Sequence, residues 1–185
     1  MGARGVPSCP LFLDHVFVPE SNILGESGKG FKVVMEAFNK SRPLIGARGV
    51  GLAQGAIDHA IEFVHNRVTF GRKVSEYQGI RWMLADMAIQ TEAARQLVYR
   101  AAALVDAGAT GQELAPVAAI AKCFATDTAM RVATDAVQLF GAAGISAEYP
   151  INRYFRDAKV LQIVEGTNQI QRNIIADSLL GRAPR

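Results

Sequence analysis

Apolar residues recur at intervals of three and four along most of the chain, and turn residues cut this pattern into helical runs. The spacing predicts a short helix over 31–40, a restart with Ser41 as cap and Pro43 in the first turn, and a helix to about residue 67. Ile45, Leu52, Ala56, Ala60 and Val64 form its stripe, and Gly51 and Gly55 favour a close helix crossing because they add no bulk. A loop over 68–76 leads to a long helix over about 77–107, striped by Leu84, Met87, Thr91, Ala94, Val98, Ala101 and Val105 and stopped by Gly108. A third long helix spans about 111–140, with Val117, Ile120, Phe124, Thr128, Val132, Ala136 and Leu139 on one face and Gly141 and Gly144 closing it. A shorter helix over about 167–180 stops at Gly181. Helices of about 30 residues are roughly 45 Å long, and joined by short loops they make an antiparallel, four-helix-type bundle. The fold class expected is all-α. Ahead of the helices, residues 11–18 are rich in strand formers and end at Pro19. A lone strand has nothing to pair with, so this one calls for a sheet from elsewhere.

Composition changes this picture little. The 185 residues are half hydrophobic and one-fifth charged, as in a globular domain with a core of its own. A formal charge of +3, without a basic run, suits a polyanionic small molecule better than a nucleic acid. Cys9 and Cys123 lie far apart with no ligand spacing around them, which predicts neither a zinc site nor a disulfide and favours a reducing compartment. Residues 1–7 have no apolar signal region. The most apolar stretch, 114–124, is interrupted by Pro116 and Lys122 and is too short to span a membrane. No targeting segment is recognisable, which points to a bacterial-type cytoplasm, or to a mitochondrial matrix if a transit peptide precedes the sequence.

Four local patterns invite a chemical reading. The stretch 25–30, Gly-Glu-Ser-Gly-Lys-Gly, lacks the hydroxyl that a phosphate loop needs after its lysine, and reads as a flexible turn. Glu62 and His65 form one Glu-x-x-His pair where a di-iron site needs two pairs and two more glutamates, so no metal site is expected. Arg153, Arg156 and Lys159 read as a solvated basic face. In the segment 163–171, Ile-Val-Glu-Gly-Thr-Asn-Gln-Ile-Gln, Glu165 has two readings. It is a favourable charge near a helix start, or it is a carboxylate that substrate binding desolvates into a general base beside a glycine that admits a close approach.

The blocks around these residues resemble the acyl-CoA dehydrogenase family, and most closely its medium-chain members. The resemblance runs in order through Val18-Pro19-Glu20, Gly30-Phe31-Lys32-Val33, Ser41-Arg42-Pro43, Gly51-Leu52-Ala53-Gln54 and Arg67-Val68-Thr69-Phe70-Gly71. It continues through 135–141, Glu148-Tyr149-Pro150, Arg156-Asp157-Ala158-Lys159 and 164–172. It implies an FAD-dependent α,β-dehydrogenation of an acyl-CoA thioester. The base takes the α-proton, the β-hydrogen leaves as hydride to flavin N5, and an electron-transferring-flavoprotein-type acceptor follows. The family's base falls on Glu165; the alternative position used by some members is Ser41 here, which cannot serve.

The same resemblance assigns flavin contacts to Arg67, Val68 and Thr69, to Tyr77 and Gln78, to Gln138, Leu139, Phe140, Gly141 and Ala142, and to Thr167, Asn168 and Gln169. Some of these reach the flavin of a neighbouring subunit, which implies a homotetramer. Substrate contacts fall on Phe38, Asn39, Lys40, Ser41, Arg42, Gly166 and Arg172. Ala142 stands where a second glycine is usual, Val164 where an aromatic residue is common, and Asn39 where an acid is common; the last two are expected to tune chain-length preference. Family members are roughly twice as long. The resemblance therefore reads residues 1–27 as the last strand and linker of a middle β-barrel domain that is absent, and 28–185 as the C-terminal helical domain. A chain of this extent is expected to need the rest of the flavin pocket for turnover. The alternative is a non-catalytic helical module serving oligomerisation or binding.

Overall fold

The computed structural model of the protein describes residues 1–181, so the last four residues of the domain expected over 28–185 lie outside it. Three long helices form the body: α1 (Gly30–Asn66), α2 (Gln78–Asp106) and α3 (Gly111–Phe140). A two-stranded hairpin, β1 (Val68–Thr69) and β2 (Arg72–Lys73), joins α1 to α2. Three shorter helices follow: α4 (Ala142–Ile145), α5 (Ile151–Leu161) and α6 (Asn168–Leu180). No helix among the described residues is long and apolar enough to cross a membrane.

The expected break at Ser41 and Pro43 does not occur. Pro43 lies inside a single 37-residue helix, and its side chain is buried. Proline lacks the N–H that would bond the carbonyl four residues back, but its fixed φ is compatible with a helix. Packing on both sides of Pro43 sustains the helix across the missing bond: Asn39, Arg42, Ile45 and Gly46 are all buried. The loop expected over 68–76 is instead the hairpin followed by a 3-10 turn, Val74–Glu76. Its two turn residues, Phe70 and Gly71, have φ values of 51° and 80°. Hairpin turns of this handedness are signalled by Asn-Gly or Asp-Gly, and Phe-Gly carries no such signal. Residues 11–18 form no strand. They have no partner to pair with, and Leu11, Phe12, Leu13 and Phe17 stand exposed.

Helix α3 is the axis of the fold and packs against α1, α2, α5 and α6. It can be surrounded because its inner positions are small: Ala118, Ala119, Ala121, Ala125, Ala129, Ala133 and Ala136 are all fully buried. Of the two glycines expected to allow a close crossing, Gly55 meets a neighbouring helix and Gly51 does not. Gly51 faces open space, and Gly55 lies under the ring of Tyr154 from α5. The close approach is made by Gly49, where a Cβ would stand 2.9 Å from the Ala125 carbonyl oxygen, and by Gly46, where it would stand 2.9 Å from Val98 Cγ2. The α1 and α3 chains run parallel, since Gly49 meets Ala125 and Phe63 stacks on Phe140 with ring centroids 4.1 Å apart.

Helix α5 was not legible in the basic spacing of Arg153, Arg156 and Lys159. Its buried face is Ile151, Ala158 and Leu161, with Tyr154 half-buried against Gly55, and the basic residues occupy the other side.

The two glycine environments predict opposite responses. Gly49→Ala forces the α1 and α3 backbones apart and should destabilise the protein by about 1–3 kcal/mol. Gly51→Ala places a methyl in solvent on a helix interior and should stabilise by about 0.5–1 kcal/mol. Urea denaturation midpoints of the two variants, compared at equal m-value, check both signs.

Candidate functional site

The turn between α5 and α6 carries Glu165, and its backbone is unusual. Glu165 has φ 58° and Gly166 has φ 88°, two left-handed residues in succession. For glutamate this conformation costs on the order of 1–3 kcal/mol and persists only when its surroundings hold it. A Cβ on Gly166 would come within 2.9 Å of Gln171 Nε2, so glycine is needed there on both counts.

Three buried side chains hold the turn through its carbonyls. Arg42 Nε, from α1, donates to the Glu165 carbonyl at 3.3 Å. Gln171 Nε2, from α6, donates to the Gly166 carbonyl at 2.9 Å and to that of Glu165 at 3.4 Å. Lys122 Nζ, from α3, donates to the Gly166 carbonyl at 3.0 Å and to Asn168 Oδ1 at 2.8 Å. Arg42 is 2 % exposed and both Lys122 and Gln171 are 0 % exposed. The network continues outward. Asn168 Nδ2 donates to Thr126 Oγ1 and to Asp127 Oδ1, and Asp127 also accepts from Gln162 and from Arg172 at 2.6 Å. Thr167 caps α6 by accepting from the Ile170 amide.

The Glu165 carboxylate itself is half-buried. Its Oε2 accepts a 2.5 Å hydrogen bond from Ser41 Oγ on α1, and among the described residues no donor is bonded to Oε1. Positions 41 and 165 are therefore neighbours in space, although 124 residues separate them in sequence. A carboxylate at either position would address the same region.

The expected substrate residues divide. Ser41, Arg42 and Gly166 meet Glu165 directly. Asn39 is turned to Arg42, accepting from its Nη1 at 2.9 Å, and Phe38 lies with its ring centroid 5.8 Å from the Arg42 guanidinium carbon. Lys40 is exposed, and no hydrogen bond ties it to the cluster. Arg172 is committed to Asp127 and the Asn168 carbonyl. Of the expected flavin residues, Thr167, Asn168 and Gln169 adjoin Glu165, with Asn168 buried in the network and Gln169 exposed.

The remaining flavin candidates gather at the opposite end of α1. Ser41 and Arg67 are separated by on the order of 40 Å along the helix. There a groove of about 450 Å³ is lined by His59, Glu62, Phe63, Arg67, Phe140 and Tyr149. The hairpin residues Val68 and Thr69 follow Arg67 directly in the chain, Tyr77 donates to the Thr69 carbonyl at 2.8 Å, and the Arg72 guanidinium lies over the Tyr77 ring at 3.8 Å. Gln78, Gln138, Gly141 and Ala142 are exposed, while Leu139 and Phe140 are buried as part of the core. A Cβ at Gly141 would meet nothing, so the space around the start of α4 is open.

Lys122 is the member of this cluster that the sequence alone does not announce. Its only signal was a charge interrupting an apolar run on α3. Burial pushes its amine down from 10.5 to about 8, opposed by the nearby charges of Asp127 and Glu165 and reinforced by that of Arg42. Burial likewise lowers the Arg42 guanidinium, with Glu165 pulling it back up.

A Lys pKa lower in the folded state than in the unfolded chain means that the unfolded chain binds the extra proton between about pH 8 and 10.5. Unfolding free energy contributed by this group therefore rises with pH across that window and is flat below it. In Lys122→Met the rise should vanish. The difference between wild-type and variant denaturation free energies, measured from pH 7 to 10.5, isolates it from other titrating groups.

Comparison with known proteins places these features in a family. The family model described as acyl-CoA dehydrogenase, C-terminal domain, matches residues 28–180. The chain is 48% identical over 180 residues to the probable acyl-CoA dehydrogenase fadE25 of Mycobacterium leprae, covering 97% of this chain and 46% of that protein. It is 48% identical over 183 residues to cyclohexane-1-carbonyl-CoA dehydrogenase of Geobacter metallireducens, covering 99% and 47%. The structure of butyryl-CoA dehydrogenase from Megasphaera elsdenii superposes with a TM-score of 0.85 at 47% identity, covering 88% of this chain and 42% of that one. The chain thus spans about half the length of the curated relatives it matches. It belongs to the acyl-CoA dehydrogenase family, whose C-terminal domain it carries.

Proposed function

We propose that this chain supplies the catalytic base and part of the flavin site for the α,β-dehydrogenation of an acyl-CoA thioester, with Glu165 as the base. The observation that carries this reading is the state of the Glu165 side chain. Ser41 holds one carboxylate oxygen, and three buried donors hold the carbonyls of Glu165 and Gly166. The other oxygen is left to receive a proton.

In the proposed reaction Glu165 Oε1 takes the α-proton, and the electron pair of that C–H bond becomes the Cα=Cβ bond as the β-hydrogen departs with its own pair. The chemistry FAD supplies when bound is acceptance of that β-hydrogen at N5. An acyl chain covering the half-buried carboxylate would remove its remaining water and strengthen it as a base. Ser41 restrains the carboxylate without competing for the substrate proton. An electron-transferring-flavoprotein-type acceptor is the proposed next partner.

The donor set at the far end of α1 fits a flavin dinucleotide. Arg67 offers a guanidinium suited to a pyrophosphate, Val68 and Thr69 offer an amide and a hydroxyl, and the groove beside Phe140 and the open space at Gly141 admit the ligand. No single dinucleotide bridges the roughly 40 Å of helix between this groove and Glu165. That separation supports a flavin shared between copies of the chain, as the expected homotetramer requires. One copy would contribute Glu165 and Thr167, and its neighbour Arg67 and the hairpin.

Two experiments test this. In the FAD-loaded holoenzyme, Glu165→Gln should slow the bleaching of flavin absorbance by an acyl-CoA at least ~10²-fold. Bleaching at the wild-type rate would remove Glu165 as the base. Glu165→Gln and Arg67→Glu subunits co-assembled at random in equal amounts should recover roughly a quarter of wild-type turnover, because half of the pairs are mixed and half of the sites in each mixed pair are intact. No recovery on mixing two inactive proteins would place both residues in a site built by one copy.

A further inference from the structure

One charged group at the turn has no part in the proposed chemistry. Lys122 sits on α3 with its side chain 0 % exposed, in a helix that also buries seven alanines. An ammonium there loses its hydration, a cost that is offset only through the acceptors it finds. What it holds is specific. Its two acceptors are the Gly166 carbonyl, one peptide beyond the Glu165 Cα, and Oδ1 of Asn168, the first residue of α6.

The other donors to this turn are placed differently. Gln171 belongs to α6, the helix that leaves the turn, and moves with it. Arg42 reaches only the Glu165 carbonyl, at 3.3 Å. Among the described residues Lys122 is the donor that ties the Gly166 peptide to the central helix. That carbonyl lies in the peptide joining Gly166 to Thr167, so its displacement reaches the Glu165 Cα through the Gly166 Cα and the intervening peptide.

We propose that Lys122 is a positioning residue for Glu165: its amine clamps the Gly166 carbonyl and the start of α6, and so keeps the carboxylate aimed at the substrate α-carbon. The proposal rests on Glu165 being the base. A neutral lysine amine retains two N–H donors for these two acceptors, so the clamp persists whether or not the amine carries its extra proton.

The test uses FAD-loaded holoenzyme and stopped-flow bleaching by the best substrate among butanoyl-, octanoyl-, hexadecanoyl- and cyclohexanecarbonyl-CoA. Lys122→Met should lower the limiting bleaching rate at least ~10-fold, as misplacement of a reacting group does. Flavin content should be unchanged, and the half-saturating acyl-CoA concentration should stay within about threefold, since ground-state binding is not the target. An α-deuterated substrate should show a larger isotope effect in the variant than in the wild type. Added to Glu165→Gln, the substitution should change nothing further, because a positioning residue acts through the group it positions.

A wild-type bleaching rate in Lys122→Met, with Glu165→Gln inactive, overturns the positioning role and leaves the base assignment standing. A wild-type rate in Glu165→Gln removes the base assignment, and this proposal with it. A further multiplicative loss in the double variant shows that the amine acts independently of Glu165 and also overturns the proposal. Should Lys122→Met lose flavin, Lys122→Gln, with two N–H donors on a shorter stem, is read per bound flavin. Loss of flavin in both assigns the amine to folding and ends the proposal.

Discussion

The approach of α1 to α3 at Gly49 governs what the rest of the molecule can do. With the Ala125 carbonyl only 2.9 Å from where a Cβ would be, the two backbones run parallel at a distance that no larger residue permits. Residues 39–42 of α1 and Lys122 of α3 thereby fall on the same side of the bundle, at the level where the turn after α5 crosses. The alanines along α3 extend the same condition to α2, α5 and α6. A bulkier axis would hold the surrounding helices further out, and the donors on α1, α3 and α6 would not converge on one turn.

That convergence explains how the backbone at Glu165 is maintained. Two consecutive left-handed residues, one of them a glutamate, are not a conformation that the chain adopts for local reasons. The carbonyls of these two residues accept from a guanidinium, an amine and an amide, all withdrawn from water. Hydrogen bonds from charged donors in such surroundings are stronger than those between neutral groups, and leaving the carbonyls unpaired would be costly. Strain at Glu165 and buried charge behind it are thus two sides of one arrangement. The same arrangement puts Ser41 against the carboxylate, which accounts for the interchangeability of the two positions suggested by the family resemblance.

Helix α1 also acts as a spacer. Because it continues through Pro43, it carries the Glu165 cluster at one end and the Arg67 groove at the other as parts of one element. A break at Ser41 would have let the two ends swing independently. The unbroken helix sets a fixed separation between Glu165 and the groove, and this separation underlies the reading that neighbouring copies complete each other's flavin sites.

The sequence by itself determined the three long helices, because amphipathic periodicity over about 30 residues has no competing interpretation. It located the ends of α3 at Gly111 and Phe140, where glycines flank the run. It also singled out Glu165, with Ser41 and Arg42 beside it, through ordered blocks that no single spacing carried. It misplaced what depends on a partner. Ser41 and Pro43 look like a helix start when read locally, yet packing at Asn39, Arg42 and Gly46 carries the helix through. Gly51 was as good a candidate for a crossing as Gly46 and Gly49 until the position of α3 chose between them. Residues 11–18 have strand composition without a strand to pair with, and the buried face of α5 was hidden behind its basic residues. Lys122 appeared in the sequence as an interruption of an apolar run; only the fold turns it inward and gives it two acceptors. Periodicity records how each segment meets an average interior, whereas the partner of a particular side chain is decided by which helix lies opposite.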